Sequence, residues 1–358
     1  LTLFLNRNIQ IPKLQLYILP VVIVPLLQWS FGLVFDFSIA LLSSVYLLGF
    51  WFMVVMGYNL SLQPNAREQL MQRACWLLLV IASVTSLMAM VQWLGLESSL
   101  YGIMQLKGNR PYANFGQPNN MATFLVMALM SCLYLYEKKK IQSKWLFACA
   151  VVIVIGVALS QSRTAWVAAI VIMLYLAFYQ YKGIIRLKWY YSTAWFIFFI
   201  SCIVAFPLLS QLAAQAIDAD VVQSRDVVSR ATGDMSRLAI WEQMLAAIQA
   251  QPWFGYGWNQ TGMAQIAAFD LYPSHEWYKS AHNVVLDLLI WNGIPIGALI
   301  LLYLTGWLYW LNKGAKESVS IIAMLMVSAI LIHALLEFPI HYAYFLLPMG
   351  FLLGMIQA

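Results

Sequence analysis

Residues 38–59 read SIALLSSVYLLGFWFMVVMGYN and contain no charged side chain. A helix needs about 20 apolar residues to cross the hydrocarbon core of a bilayer, so this segment predicts a membrane-spanning helix. Similar runs recur along the whole 358-residue chain, which is 63% hydrophobic and only 9% charged. Soluble domains carry about 25% charged residues, so the composition excludes an ordinary soluble domain. The sequence therefore predicts an all-α polytopic membrane protein.

The apolar runs predict about ten transmembrane helices and one long loop. The predicted spans are 14–34, 38–59, 70–94, 119–137, 145–160, 164–181, 189–212, 283–311, 318–336 and 340–357. We expect transmembrane helices in residues 1–212, a periplasmic loop in 213–282 and three further helices in 283–358. Because the sequence begins at Leu1 and ends within an apolar run, we also expect the natural protein to extend beyond both ends.

Charge alternates between successive connections, and this alternation predicts the topology. One set of connections holds 13 of the 20 basic residues and only three acids. These basic residues are Arg7, Lys13, Arg67, Arg73, Lys138, Lys139, Lys140, Lys144, Lys182, Arg186, Lys188, Lys313 and Lys316. Short basic loops stay in the cytoplasm, so both chain ends are predicted inside and the long loop outside. In a two-membrane bacterium the outer side is the periplasm. The net charge of +6 thus reflects topology, and we expect no nucleic-acid partner.

The long loop contains one predicted amphipathic helix, SRLAIWEQMLAAIQA at residues 236–250. Its apolar residues recur at three- and four-residue spacing, which is typical of a helix with one buried face. We expect this face, formed by Leu238, Trp241, Leu245 and Ile248, to lie on the helical bundle or in the membrane interface.

The first polar cluster is GNRPYANFGQPNNMATF, residues 108–124, just before the fourth predicted span. It contains Arg110, Asn114, Gln117, Asn119 and Asn120. A helix start exposes N–H groups and a positive dipole end, so the cluster suits a phosphate or a sugar. A polar loop with a capped helix explains the same residues without any ligand.

The second cluster is LSQSRTAW, residues 159–166, in a very short predicted outer hairpin. Its Arg163 is unusual because the other short outer loops contain few basic residues. A guanidinium presents a planar fork of donors that matches phosphate oxygens. The alternative is an arginine whose side chain extends to the membrane interface.

A third cluster combines the long loop with the last helix ends. Its candidate residues are Arg237, His275, His282, Asn283, Glu337 and His341. His333 lies in the middle of a predicted span and is interpreted as a packing residue. Asp287 shares a helix face with Asn283 four residues earlier, so it need not contact His282. An ionisable side chain this close to a membrane is still a candidate functional residue.

Several chemistries find little support in the sequence. The four cysteines all lie in apolar segments, so we expect no disulfide and no metal site. The D-x-D at residues 218–220 has the spacing of some metal-dependent sugar transferases, but three residues match often by chance. No HExxH, GxSxG or GxxxxGK motif occurs. We therefore expect neither a metal nor another cofactor.

A family resemblance draws the clusters together. SQSRTAW, SRLAIW followed by PWFGYGW, and AHNVVLDLLIWNGIP together resemble the O-antigen ligase and polymerase superfamily (Wzy_C). GNRPYANFGQPNNMATFL and LLEFPIHYAYFLLPMG narrow the resemblance to bacterial protein O-oligosaccharyltransferases of the PglL type. The resemblance covers roughly residues 109–350 and implies a GT-C-like fold. The 358 residues do not include the large carboxyl-terminal periplasmic extension of many relatives, as expected if the natural protein continues beyond Ala358. His341 stands where many relatives have an aromatic residue.

The resemblance implies a reaction and assigns roles to residues. A glycan on undecaprenyl diphosphate would move to a serine or threonine hydroxyl of a periplasmic protein, typically a pilin. The essential histidine of the relatives maps onto His282, and their arginines map onto Arg163 and Arg237. A neutral imidazole can accept the proton of an attacking hydroxyl. Guanidinium groups can stabilise a departing diphosphate without a metal. The other cluster residues would then bind glycan or phosphate.

Several alternatives share part of this evidence. An O-antigen ligase would transfer the glycan to lipid A core, and a polymerase would transfer it to another glycan, with the same donor chemistry. A transporter or flippase is allowed by ten spans, but transporters place polar sites near the bilayer midplane. A purely structural membrane protein needs no cluster of His, Arg and Asn on one side.

Overall fold

The computed structural model describes residues 9–63, 65–216, 221–222, 236–274 and 276–358. These residues form helices and connecting loops, without a β-strand among them. The α-helices are α1 (Leu19–Ser30), α2 (Phe37–Ser61), α3 (Ala66–Trp93), α4 (Pro118–Glu137), α5 (Ser143–Leu159), α6 (Arg163–Tyr181), α7 (Trp189–Ala216), α8 (Ser236–Ala250), α9 (Thr261–Ala267), α10 (Val284–Gly314), α11 (Ser318–Ala334) and α12 (Ala343–Gln357). Short 3-10 helices occupy Lys13–Tyr17, Glu97–Ser99 and Pro339–His341.

Every predicted span contains a helix, and the all-α prediction is confirmed for the described residues. Seven helical stretches are long and apolar enough to cross a bilayer: Lys13–Ser30, α2, α3, α4, α6, α7 and α10. Helices α5, α11 and α12 are apolar but have only 17, 17 and 15 residues. The chain is therefore a multi-pass membrane protein with seven candidate spans in the described part.

The helices form two compact units. One contains α1, α2, α8, α9, α10 and α12, and the other contains α3 from Glu68 onward, α4 to α7, and α11. The units combine helices from distant parts of the chain. They thus group the helices by packing, whereas the predicted division into residues 1–212, 213–282 and 283–358 concerned position relative to the membrane and stays a prediction.

Small residues bring α2 and α12 together in the first unit. A Cβ added to Gly57 would collide with the carbonyl of Phe351, and one added to Gly354 would collide with that of Val54. Gly350 and Gly354 form a GxxxG pair along α12. Helices in a bilayer gain little from apolar burial against one another, so close backbone packing at small residues is a main source of their association.

Helix α10 is interrupted, and the motif PWFGYGW, residues 252–258, packs against the interruption. Gly293 has φ 71° and ψ 172°, outside the helical region. The free carbonyls of Ile290 and Trp291 accept hydrogen bonds from the N–H groups of Tyr256 (2.8 Å) and Gly257 (3.1 Å). Broken backbone within a membrane protein is tolerated only where protein or water satisfies its polar groups. The motif PWFGYGW and the interrupted stretch of α10 therefore pack together as one local structure.

The buried face of α8 differs from the predicted one. Ile240, Met244, Ala247 and Ile248 are buried, whereas Leu238 and Leu245 are about half exposed. The predicted and the observed stripe both have three- and four-residue spacing; they share Ile248, and Trp241 of the predicted stripe is partly buried against the same core. The buried stripe is the one that joins the hydrophobic core formed with α9 and α10.

The second unit is built around α4, most of which is buried. His333 of α11 is fully buried in this unit, and its Nδ1 lies 2.9 Å from Oγ1 of Thr123 on α4. His333 is thus a packing residue with a polar partner, as expected from its position in the middle of a span.

Candidate active site

The first unit brings three of the predicted site residues into direct contact. His282 precedes α10, Arg237 lies in the first turn of α8, and Glu337 lies between α11 and the 3-10 helix Pro339–His341. His282 Nδ1 lies 2.7 Å from Oε2 of Glu337. The guanidinium of Arg237 forms an ion pair with Oε1 of the same carboxylate. One acidic group thus connects the candidate base with a candidate phosphate-binding arginine.

The environment of Glu337 decides its charge. Burial alone would raise the pKa of this carboxyl, but the hydrogen bond to His282 and the positive charge of Arg237 outweigh burial. The pKa of Glu337 therefore lies below its ordinary value, and the group is ionised at neutral pH. An ionised carboxylate only accepts hydrogen bonds, so Nδ1 of His282 carries the hydrogen. Nε2 of the neutral ring is then left without a proton.

A strained turn presents His282. Its φ of 53° lies in the left-handed region, which residues other than glycine adopt infrequently, although histidine, asparagine and aspartate do so more often than most. The N–H of His282 donates to Oγ of Ser280 at 3.0 Å. Ser280 in turn donates to Oδ2 of Asp287 at 2.6 Å, while Oδ1 of Asp287 accepts from the N–H of Ala281 at 2.8 Å. Backbone strain of this kind persists where surrounding contacts fix the conformation.

These contacts give Asp287 and Asn283 definite positions. Asp287 is 2% exposed, and its carboxylate binds Ser280 and Ala281, the two residues before His282, without a hydrogen bond to the imidazole. Asn283 is the N-cap of α10, and its Oδ1 accepts from the N–H groups of Val285 (2.9 Å) and Leu286 (3.3 Å). Both residues therefore position the turn, and glycan binding by Asn283 stays a prediction.

His341 lies on the other side of the same group of rings. Its ring centre is 5.7 Å from those of Trp291 and Phe338, and the Phe338 ring also contacts His282 at 5.0 Å. Burial, together with the charge on His282 when protonated, lowers the pKa of His341 to about 4. His341 is therefore neutral at pH 7 and occupies an aromatic position with an uncharged ring.

The second unit holds the other arginines of the predicted site. Arg110 Nε donates to the carbonyl oxygen of Ser160 at 3.0 Å, and its terminal nitrogen donates to Oδ1 of Asn119 at 3.0 Å. The same oxygen of Asn119 accepts from Oγ of Ser162 at 2.7 Å. Asn119 thus connects the first and second polar clusters of the sequence. Arg163, the first residue of α6, follows directly after the N-cap Ser162.

The other residues of the first cluster hold their loop in shape. Gln117 is the N-cap of α4, and its Oε1 accepts from the N–H of Asn120 at 2.7 Å. Asn114 donates to the carbonyl of Gly102 at 2.7 Å and accepts from the N–H of Met104 at 2.9 Å. Asn119 and Asn120 are almost fully buried. The loop therefore presents a rigid surface, and substrate binding by these residues stays a prediction.

The sequence identified most of these residues but not their pairings. Substrate binding by Glu337 stays a prediction, and the structure places its two oxygens against His282 and Arg237. Little in the sequence indicated that Glu337 pairs with His282, because 55 residues separate the two. His275 and the D-x-D at 218–220 lie outside the described residues.

The group formed by His282, Glu337 and Arg237 has the chemistry of a general base. A carboxylate that fixes the tautomer and orientation of a histidine occurs in hydrolases and in metal sites. Here the unprotonated Nε2 of His282 could accept the proton of a hydroxyl group. The side chains of His282 and Arg237 are 24% and 23% exposed, so a substrate could reach both.

Comparisons with known proteins match the same regions. Residues 147–302 match the family model described as "O-Antigen ligase", and residues 111–136 match "Protein glycosylation ligase". Over 358 residues the chain is 50% identical to the "General O-oligosaccharyltransferase" of Acinetobacter baylyi (strain ATCC 33305 / BD413 / ADP1), covering 100% of this chain and 63% of the relative. It is 30% identical over 353 residues to the "ComP-specific O-oligosaccharyltransferase" of the same strain, covering 98% of this chain and 62% of that relative. The chain thus spans slightly less than two thirds of the length of these relatives.

Proposed function

Because the chain belongs to the O-antigen ligase superfamily and resembles its protein O-oligosaccharyltransferases, we propose that it transfers a preassembled glycan to hydroxyl groups of proteins. The donor is a glycan on undecaprenyl diphosphate, and the acceptor is a serine or threonine of a periplasmic protein such as a pilin. The enzyme acts from the inner membrane of a bacterium, with its active site facing the periplasm and without a metal.

The observation that carries this proposal is the contact of Glu337 with both His282 and Arg237. The carboxylate holds a proton on Nδ1 of His282 and so leaves Nε2 free to act as a base. It also holds a guanidinium beside the imidazole. A glycan transfer to a hydroxyl needs these two functions together, a base for the nucleophile and a positive group for the departing diphosphate.

These positions support the following reaction. Nε2 of His282 takes the proton from the acceptor hydroxyl as its oxygen attacks the anomeric carbon of the first sugar. The bond between that carbon and the phosphate oxygen breaks, and undecaprenyl diphosphate leaves with the bonding electron pair. A diphosphate is already a good leaving group, so it needs charge stabilisation more than a proton donor. The positive His282 that results is stabilised by Glu337, as the imidazolium is in a catalytic triad.

Arginines supply the charge for the departing diphosphate. Arg237 has five N–H donors, so its pairing with Glu337 leaves donors for a phosphate oxygen. Arg163 and Arg110 belong to the second cluster, where Asn119 connects Arg110 with the N-cap of α6. We propose that these arginines bind the diphosphate, while Asn114, Gln117, Asn120, Asn283 and His341 line the path of the glycan.

A protein acceptor is favoured over lipid A core or a second glycan. The support is the match of residues 111–136 to the protein glycosylation ligase family, together with two relatives named as O-oligosaccharyltransferases. An O-antigen ligase or polymerase would use the same donor chemistry, so the acceptor is the point that an experiment must decide.

Reconstitution with defined substrates tests the proposal. The purified protein is incubated with undecaprenyl-diphosphate glycan and a candidate pilin in the presence of a chelator, and the pilin is weighed by mass spectrometry. We expect a glycan-sized mass gain that His282→Ala abolishes. Glu337→Gln preserves the shape of the side chain but removes its charge, so we expect its rate to fall on the order of 10²- to 10⁴-fold.

A matched variant controls for general effects of acid removal. Glu242→Gln changes an exposed acid of α8 and should retain the parent rate. Full transfer by His282→Ala would refute its role as the base. Transfer to lipid A core or to a second glycan, but not to the pilin, would refute the protein acceptor and leave the donor site intact.

A further inference from the structure

Four helices of the second unit surround an apolar cavity. Helix α4 packs against α5 and α6, and α7 packs against the same two helices. The space between them has a volume of about 670 Å³. Its walls include Leu133 of α4, Ala150 of α5, Ile172 of α6 and Phe199 of α7. Removal of apolar surface from water is favourable, so this mostly apolar lining favours an apolar occupant.

The cavity is polar at only one end. Tyr136 at the end of α4, Ser143 and Lys144 at the start of α5, and Tyr191 and Ser192 at the start of α7 line that end. The Phe147 and Trp195 rings, with centroids 5.4 Å apart, bridge α5 and α7 next to it. An occupant that fits this shape has a long apolar part and a polar head.

The loops at the polar end are strongly basic. Residues 138–144 and 182–188 contain seven basic residues and no acid. These residues are Lys138, Lys139, Lys140, Lys144, Lys182, Arg186 and Lys188. Glu137 holds the two loops together, because its carboxylate accepts hydrogen bonds from the N–H groups of Arg186 (2.9 Å) and Leu187 (2.8 Å). That carboxylate is buried, and Glu68 of α3 pairs with Lys138, so the other six basic residues keep the surface at this end positive.

We propose that this cavity binds an anionic phospholipid, with its acyl chains between the four helices and its phosphate at Lys144. Basic pockets between membrane helices on the cytoplasmic side are suited to anionic lipid head groups. This is also the side to which the charge pattern assigns both loops. The lipid would fill the apolar volume and neutralise part of the positive end.

The isoprenoid donor fits this cavity less well, although it also combines an apolar tail with phosphates. Arg163 begins α6, and the basic loop follows Tyr181 at its other end. Eighteen residues of helix correspond to about 27 Å, so a diphosphate at Arg163 is far from Lys144. A phospholipid is the occupant whose head group belongs at the basic end.

Native mass spectrometry tests this proposal without any glycan transfer. The detergent-purified protein is mixed with equal amounts of phosphatidylglycerol, phosphatidylethanolamine and undecaprenyl monophosphate, and the bound species are weighed. We expect a retained phosphatidylglycerol. Lys144→Gln should reduce its retention by about fivefold, and Ala150→Phe should also reduce it, because the added ring occupies part of the space for the acyl chains.

Each variant has a matched control. Ala148→Phe places the same ring on the exposed side of α5, and Lys313→Gln removes a lysine at the end of α10, so both should retain the lipid like the parent. Equal retention of the zwitterionic lipid, preferential retention of the isoprenyl phosphate, or no effect of Lys144→Gln would each overturn the proposal. If Ala150→Phe fails to fold, Lys144→Gln still decides the outcome.

Discussion

At the scale of single residues, the candidate active site depends on one buried carboxylate with two partners. Glu337 is 7% exposed, and its two oxygens contact His282 and Arg237. A buried charge is unfavourable unless it is paired, and His282 and Arg237 both pair with the carboxylate charge of Glu337. The arrangement couples the proton position on the imidazole to the presence of the arginine. Loss of any one of the three residues therefore changes the electrostatics of the other two.

His341 gives this region a predictable response to acid. Its pKa of about 4 lies below the ordinary value of 6.5, so the folded protein binds this proton less readily than the unfolded chain. The resulting stabilisation is complete above about pH 6.5 and is lost as the pH falls toward about 4. We expect His341→Phe to lose less stability than the parent over this range, with little change at pH 7.5. Thermal unfolding in detergent at several pH values measures the difference.

The control for this prediction is a neighbouring ring. Tyr342→Phe alters the adjacent ring and leaves His341 in place, so its pH dependence should follow the parent. Glu337 titrates in both proteins, and its contribution is common to the two curves. Parallel curves for His341→Phe and the parent would show that the buried imidazole does not limit stability in acid.

Residue types predicted the members of the site better than their contacts. His282, Arg237 and Asp287 stand out in sequence because ionisable residues are rare in so apolar a chain. The contact of Glu337 with His282 requires the ends of two distant helices to meet, and no local pattern encodes that meeting. Asn119 is similar, because its link to Ser162 spans 43 residues. Local caps such as Gln117 and Asn283 act within three residues; a capped helix start was predicted for the cluster that contains Gln117, whereas the cap at Asn283 was not predicted.

At the scale of elements, the interruption of α10 is the feature that places the His282 turn within its unit. The first part of the helix carries Asp287, which holds the turn, and ends at the carbonyls bound by residues 256 and 257. Gln28 of α1 adds a hydrogen bond to the carbonyl of Trp291 at 2.8 Å and accepts one from the N–H of Trp258 at 2.8 Å. The motif PWFGYGW therefore has a structural role that supports the active site at a distance.

Two glycines of α10 provide a paired test of this role. Gly293 has a φ and ψ that only glycine adopts readily, and a Cβ there would collide with the carbonyl of Trp253. We expect Gly293→Ala to lower the free energy of unfolding by at least about 1–2 kcal/mol. Gly306 has no atom near an added Cβ, so Gly306→Ala should be neutral or stabilising by about 0.5–1 kcal/mol. Equal stability of the two variants in thermal unfolding would contradict the importance of the interruption.

Helix positions were predictable, but the orientation of α8 was not. Length and hydropathy define a span, so the predicted 283–311 and the observed Val284–Gly314 nearly coincide. Periodicity in α8 allows two apolar stripes that share Ile248, and Trp241 of the predicted stripe also packs against the core. The choice between them depends on the surfaces of α9 and α10, which lie later in the chain. Leu238 and Leu245 are consequently exposed, although their spacing favoured burial.

At the scale of the whole molecule, charge distribution bears on the number of membrane crossings. The length and hydropathy of the helices support seven spans in the described residues, whereas apolar runs in the sequence predict ten. Helix α5 is the first point of disagreement, since its 17 residues are at the lower limit for a span. If α5 does not cross, α6 would carry Lys182, Arg186 and Lys188 to the outer side. That arrangement violates the positive-inside rule, so we expect α5 to cross.

Cysteine labelling distinguishes the two topologies at two positions. With the four native cysteines replaced, single cysteines are introduced at Ser99, Lys140, Lys182 and Leu271 and exposed to a membrane-impermeant maleimide in cells with a permeabilised outer membrane. If α5 crosses, Ser99→Cys and Leu271→Cys should react, whereas Lys140→Cys and Lys182→Cys should react only after lysis. If α5 does not cross, Lys182→Cys should react in whole cells and Leu271→Cys should be protected.

Ser99 and Lys140 precede α5 and behave alike in both cases, so they calibrate the assay. Reaction at Leu271 with protection at Lys182 would place the two basic loops that hold the proposed phospholipid in the cytoplasm, and it would place the loop before His282 in the periplasm, where the acceptor protein is expected.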